Sequence, residues 1–289
     1  MKTRIISGIV MILILAAVLA LGFTVSGWFI TVFIALAAAG GVYELLKNAV
    51  GIKSKTALTG ACVYSALTVV FSNDEFLVTV RGFIIGREAA AYSSLRPITT
   101  VQLVCMLTAL YFIFAAVCCL ALHKYFSVSH IAALCALPIP IAFAFSSLDF
   151  LVRAGGMYYL LLLLNFSSVC DMGAYFVGST LGKHKLCPNI SPKKTVEGAV
   201  GGIVSSLIVS VIIVLVFSEP ERLVPTLIAT VPLCILGMVG DLFASAIKRA
   251  AGIKDYGRLI PGHGGVLDRM DSILMIAPFF LLLVSIFVS

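Results

Sequence analysis

The sequence predicts an all-α, polytopic integral membrane protein. Three observations carry that prediction. Of its 289 residues, 61% are hydrophobic and only 11% charged, against roughly 25% charged in a soluble domain. The mean hydropathy is +1.14. Apolar runs recur from end to end, each close to the ~20 residues that an α-helix needs to cross ~30 Å of hydrocarbon. Helices are expected because each satisfies its own backbone hydrogen bonds in lipid, and the alternating pattern of a transmembrane barrel is missing.

Nine spans are expected in order, at about 5–23, 28–46, 56–71, 99–122, 129–149, 156–178, 197–217, 224–243 and 272–288. The first has Lys2 and Arg4 ahead of it like a signal peptide, but it is long and the chain re-enters an apolar run at Trp28, so it reads as an uncleaved span. Residues 73–98 carry mixed charge and read as an interfacial helix without chemistry. The eight cysteines show no metal-ligand spacing and read as buried small hydrophobes. Residues 1–150 form N-terminal membrane spans, and 151–289 form the region that carries the chemistry, with polar loops at 179–196 and 244–271.

Nine spans put the termini on opposite sides. With the N-terminus cytoplasmic, only Arg81, Arg87, Arg96, Arg153 and Arg222 of the 20 Lys and Arg fall on the far side. This agrees with the positive-inside tendency and sets both polar loops on the cytoplasmic face of the cell (plasma or inner) membrane. Lys47, Lys53, Lys55 and Lys124 read as anchors that attract anionic headgroups. No nucleic-acid partner is expected.

Polar residues concentrate late in the chain. Asn165, Ser168, Asp171, Tyr175 and Gly178 recur at steps of three and four, a helix stripe. An acid within a span defaults to a functional reading, which applies to Asp171 and leaves Glu44 open between function and a structural ion pair. Ser191, Lys193, Lys194 and Thr195 stand just ahead of the next helix, where free N–H groups and the helix dipole favour a phosphate; Thr195 is equally suited to cap that helix. Gly198 and Gly202 make a small-residue step that lets helices approach closely. If the eighth span continues through Ala250, Asp241, Ser245 and Lys248 share one face. Asp and Ser offer the hard oxygens that magnesium prefers, and Lys is a point charge for phosphate. After it, Gly262, Gly264 and Gly265 surround His263, and Asp268, Arg269 and Asp271 lead into the last span.

These residues carry a resemblance. The run Ser245-x-Ile247-Lys248-Arg249, four residues, Lys254-Asp255-x-Gly257, two residues, Ile260-Pro261-x-His263-Gly264-Gly265-x-x-Asp268-Arg269-x-Asp271 is similar to the signature of the phosphatidate cytidylyltransferases, or CDP-diacylglycerol synthases. Asp171-x-Gly173-Ala174-Tyr175-Phe176, Lys183-x-Lys185-Leu186-x-Pro188 and Ile190 to Gly198 extend the likeness over about 165–275, with Met172 and Ser179 as departures. The resemblance implies transfer of a cytidylyl group from CTP to phosphatidate, giving CDP-diacylglycerol and pyrophosphate for phospholipid synthesis. Asp241 and Asp268 are then the expected metal ligands, with Ser245 as a further one. Lys248, Arg249 and Arg269 would hold phosphates, joined by Lys193 and Lys194. Asp171, Ser191 and Thr195 fall among the substrate-binding residues, and Asp255, His263 and Asp271 are carried into the site by the motif. Magnesium is the expected metal, with a second or monovalent ion beside it allowed, and a homodimer is compatible with the reading. A transporter is the alternative of another class, but no inverted repeat is visible and the charge gathers at one face. The same chemistry on another lipid phosphate is the alternative within enzymes.

Overall fold

The computed structural model describes residues 2–73, 100–259, 262 and 264–288. The predicted interfacial segment 73–98 therefore lies outside the described residues, apart from Asn73. The chain divides into two compact units, Met1–Phe150 and Leu151–Ser289.

In the first unit run α1 (Lys2–Thr24), α2 (Trp28–Glu44), α3 (Lys55–Phe71), α4 (Thr100–Ala121), α5 (Val128–Ala136) and the start of α6 (Pro138–Leu164). A π-helical turn, Leu45–Val50, continues α2. The unit's core gathers Val42, Leu46, Ile52, Ala61 and Leu134 around two stacked rings, Tyr64 and Tyr111, with centroids 4.2 Å apart. A buried phenol needs a partner; Tyr111 donates to the Leu134 carbonyl at 2.6 Å. Glu44 is buried in this unit.

The second unit contains the rest of α6, a π-helical turn at Asn165–Val169, α7 (Cys170–Leu181), a hairpin of β1 (Lys185–Cys187) and β2 (Ser191–Thr195), α8 (Val196–Val216), α9 (Leu223–Ala250) and α10 (Leu267–Val288). By length and composition, seven described helical runs suffice to cross a membrane. Two features account for the difference from nine. Lys55–Phe71 has only 17 residues, and Val128–Leu181 is one apolar run of 54. A helix of that length would reach about 80 Å, far beyond one crossing. Its backbone is not continuous, since Gly156 has non-helical angles (φ 56°, ψ −139°). The predicted spans 129–149 and 156–178 both fall inside this run.

Small residues set the packing around the second unit's polar end. Helices α7 and α8 lie antiparallel, Gly173 against Gly202 and Gly178 against Gly198. A Cβ on Gly202 would stand 2.5 Å from the Cys170 carbonyl oxygen. Helices α9 and α10 pair in the same sense, Gly240 against the Asp271 backbone and Gly237 against Ile276. Across these helices runs a buried polar chain. Asn165 Nδ2 donates to the Ser206 carbonyl (3.0 Å) and Ser210 Oγ (2.9 Å), and Ser210 meets Thr230 at 2.8 Å. In lipid such bonds hold helices together.

The π turn changes the polar stripe expected from Asn165 to Gly178. An inserted residue rotates the subsequent helix by about 100°, so Asn165 is buried against α8 while Ser168 and Asp171 are not covered with it. Helix α9 does run unbroken to Ala250, and α10 starts at Leu267, five residues before the predicted 272.

Because overpacking costs about 1–3 kcal/mol, Gly202→Leu should lower the unfolding free energy of detergent-purified protein by about 2 kcal/mol, read by circular dichroism against denaturant. Val204→Leu, at an outward position, is the control. Equal stability of the two variants would contradict the close packing of α7 on α8.

Candidate active site

Asp268 is the centre of the site. Its side chain is only 4% exposed, and a carboxylate so covered must be fully paired. Oδ1 accepts from Lys248 Nζ at 2.9 Å. Oδ2 accepts from two backbone N–H groups, Tyr256 at 2.8 Å and Gly265 at 3.0 Å. One side chain thus ties the end of α9, the loop 251–266 and the start of α10.

The loop is prepared locally. Gly252 ends α9 in the left-handed conformation (φ 67°); Gly252 N donates to Arg249 O and Ile253 N to Lys248 O, the double bond of a Schellman cap. Gly264 also has positive φ (88°), and a Cβ there would meet Asp268 Oδ2 at 3.0 Å. Tyr256 is buried, its hydroxyl donating to the Ala244 carbonyl at 3.0 Å. Burial, with Asp268 and Asp271 nearby, pushes its phenol above the ordinary range, so it stays a neutral donor. Lys248 Nζ lies 5.1 Å from the centre of its ring, a cation–π contact.

Lys248 also stands 3.9 Å from Asp271 Oδ2. Asp271 sits within the first turns of α10 and feels the charges of Asp241 and Asp171. Asp171 in turn feels Lys194 and Asp241. Three carboxylates from α7, α9 and α10 therefore face a shared space. Lys194 of the hairpin pairs with Asp241 Oδ2 at 2.5 Å, both side chains about a quarter exposed. Among the described residues, no three of His, Cys, Asp and Glu form a ready metal cage.

The hairpin is held by Glu197, a residue outside the site that the sequence predicts. Glu197, in the first turn of α8, accepts from the backbone N–H of Lys183 (3.1 Å) and His184 (3.2 Å) and pairs with His184 Nδ1 at 2.6 Å. Thr195 caps α8, accepting from Gly198 N at 3.1 Å, and is buried. Along a strand successive side chains point to opposite faces: Lys194 turns to Asp241, while Lys193 is exposed. Ser191 and Ser245 are partly covered; Arg249, Asp255 and Arg269 are exposed. His263 lies outside the described residues. Glu197 and Tyr256 were hidden for plain reasons. A carboxylate at a helix start reads as a companion to the dipole, and a Tyr beside a charged motif reads as packing.

The chain belongs to the cytidylyltransferase family, whose model matches residues 2–287. It is 50% identical over 117 residues to the phosphatidate cytidylyltransferase of Bacillus subtilis (strain 168), covering 40% of this chain and 44% of that protein. To the phosphatidate cytidylyltransferases of Staphylococcus saprophyticus and Staphylococcus haemolyticus it is 46% and 44% identical over 126 residues, 44% of this chain and 48% of each relative. The matched stretch spans about half the length of these curated relatives.

Removing one partner of a buried ion pair costs about 3–5 kcal/mol. Lys248→Met should therefore destabilise the protein by about 3 kcal/mol in denaturant unfolding. Adding Asp268→Asn should return part of that loss, because the amide oxygen still accepts from Tyr256 and Gly265 and no unpaired charge is left. A double variant as unstable as the sum of the two single changes would contradict the pairing.

Proposed function

We propose that this protein transfers a cytidylyl group from CTP to phosphatidate, forming CDP-diacylglycerol and pyrophosphate. One observation carries the reading: carboxylates of α7, α9 and α10 share a space with Lys194 and Lys248 at one end of membrane-length helices. Family membership and the printed activity of the similar proteins support it.

The chemistry asks for this kind of surface. A phosphate oxygen of phosphatidate attacks the α-phosphorus of CTP; the new P–O bond forms as the bond to the β-phosphate oxygen breaks, and pyrophosphate departs with the electron pair. Two anions must be brought together and the departing charge neutralised. In this account Lys194 leaves Asp241 for a CTP phosphate. Lys248, fixed by Asp268, presents its charge to the substrate phosphates, and Arg249 and Arg269, both exposed, hold further phosphates. Asp268, with both oxygens engaged, orients Lys248 and the glycine loop.

The donor set fits magnesium, which binds through one or two carboxylates plus substrate phosphates and keeps its waters instead of needing a full protein cage. Asp241, with Asp171 or Asp271 beside it, would hold it; Asp268 would join only by giving up its present partners. Bound there, the ion would neutralise charge on the reacting phosphates. The site faces the cytoplasm of the cell membrane in this proposal, supported by the asymmetry of Lys and Arg between the predicted loops.

Purified protein supplied with phosphatidate, labelled CTP and magnesium should form CDP-diacylglycerol, and no product would refute the reading. Asp241→Ala should reduce turnover at least ~100-fold. Lys194→Met should raise KM for CTP more than it lowers kcat. Near-normal CTP kinetics in Lys194→Met would remove the hairpin from the site.

A further inference from the structure

At the end of α9 and α10 away from the carboxylates, the second unit forms an open-mouthed cavity of about 320 Å3. Pro225 at its rim lies 16 residues before Asp241, about 24 Å along the helix. The cavity is therefore separate from the active site, and its volume falls within the range of ligand pockets, about 300–1,000 Å3.

Its walls are hydrocarbon and ring. Leu162, Tyr159, Ala229 and Phe280 line it, each less than a tenth exposed. On the neighbouring wall Tyr158 Oη pairs with Thr226 Oγ1 at 3.2 Å. The rim is different. Glu221 and Arg222 stand there side by side on the 3-10 turn that opens α9. Glu219 engages Arg222 through Nε at 3.2 Å, and the guanidinium lies 5.5 Å from the Tyr158 ring centre. These contacts fix the group and leave its Nη edge for a second anion, because a guanidinium has five N–H donors.

An apolar slot at the end of membrane-length helices, with a cation and an anion at its mouth, matches one class of molecule. We propose that it binds a phospholipid with a zwitterionic, primary-amine headgroup. One acyl chain lies between α6, α9 and α10, the phosphate meets Arg222, and the ammonium meets Glu221. A purely anionic headgroup would bring a second negative charge against Glu219 and Glu221. A quaternary choline has no N–H to give Glu221. The site does not depend on the cytidylyl transfer reaction.

Native mass spectrometry of the purified protein tests this, after incubation with equal amounts of phosphatidylethanolamine, phosphatidylglycerol and phosphatidylcholine bearing the same chains. One phosphatidylethanolamine should be retained preferentially. Arg222→Gln, which removes a charged hydrogen bond, should cut that adduct about ten-fold, and Ala229→Phe, which fills the slot, should do the same with an unchanged unfolding midpoint. Equal retention of the three lipids, preference for phosphatidylglycerol or phosphatidylcholine, or an adduct that survives Arg222→Gln would each overturn the proposal.

Discussion

Burying the Asp268 carboxylate is the constraint on which the polar end of this protein depends. A charge covered to 96% by its surroundings is tolerable only if its oxygens are satisfied. Lys248 and two backbone N–H groups do so, and in consequence three chain segments have one relative position. The glycines answer the same need. Gly252 turns the chain out of α9, and Gly264 lets the backbone come against the carboxylate without a Cβ in the way. Lys248 gains a defined place from this, and a fixed cation is worth more to a charged transition state than a mobile one.

The second cation arrives differently. Lys194 rides on a short hairpin secured by Glu197 and by the close packing of α7 on α8. Its side chain is a quarter exposed along its length, but its Nζ is covered and has Asp241 as ion-pair partner, so a phosphate that takes the lysine must replace that carboxylate. The arrangement joins one lysine held between α9 and α10 to a second held on the hairpin. The proposed transfer, which brings a nucleotide from water to a phosphate in lipid, would use both cations.

Much of this was legible in the sequence, and the failures are instructive. The length and apolarity of the spans marked an all-α membrane protein, and the steps from Asp241 to Ser245 to Lys248 placed three polar groups on one face of a helix that does continue to Ala250. The likeness of 245–271 to a known signature singled out Asp268 and Asp271. What escaped was contact between distant segments. Nothing in the order of residues says that Glu197 reaches back to Lys183 and His184, or that Tyr256 donates both its N–H and its hydroxyl. The π turn at Asn165 was equally invisible, because its extra residue breaks a stripe that assumes 3.6 residues per turn. The two lysines at 193 and 194 looked equivalent until strand alternation separated them.

The central claim is that Asp241 holds Lys194 until a phosphate takes it. Equilibrium binding of labelled CTP without divalent cations tests it most directly, comparing wild type, Asp241→Asn and Lys194→Met/Asp241→Asn. Releasing the lysine removes the population held in the paired state, so Asp241→Asn should bind CTP several-fold tighter than wild type, and the double variant should lose that gain. Unchanged or weaker binding in Asp241→Asn, or an equal gain in the double variant, would contradict the account.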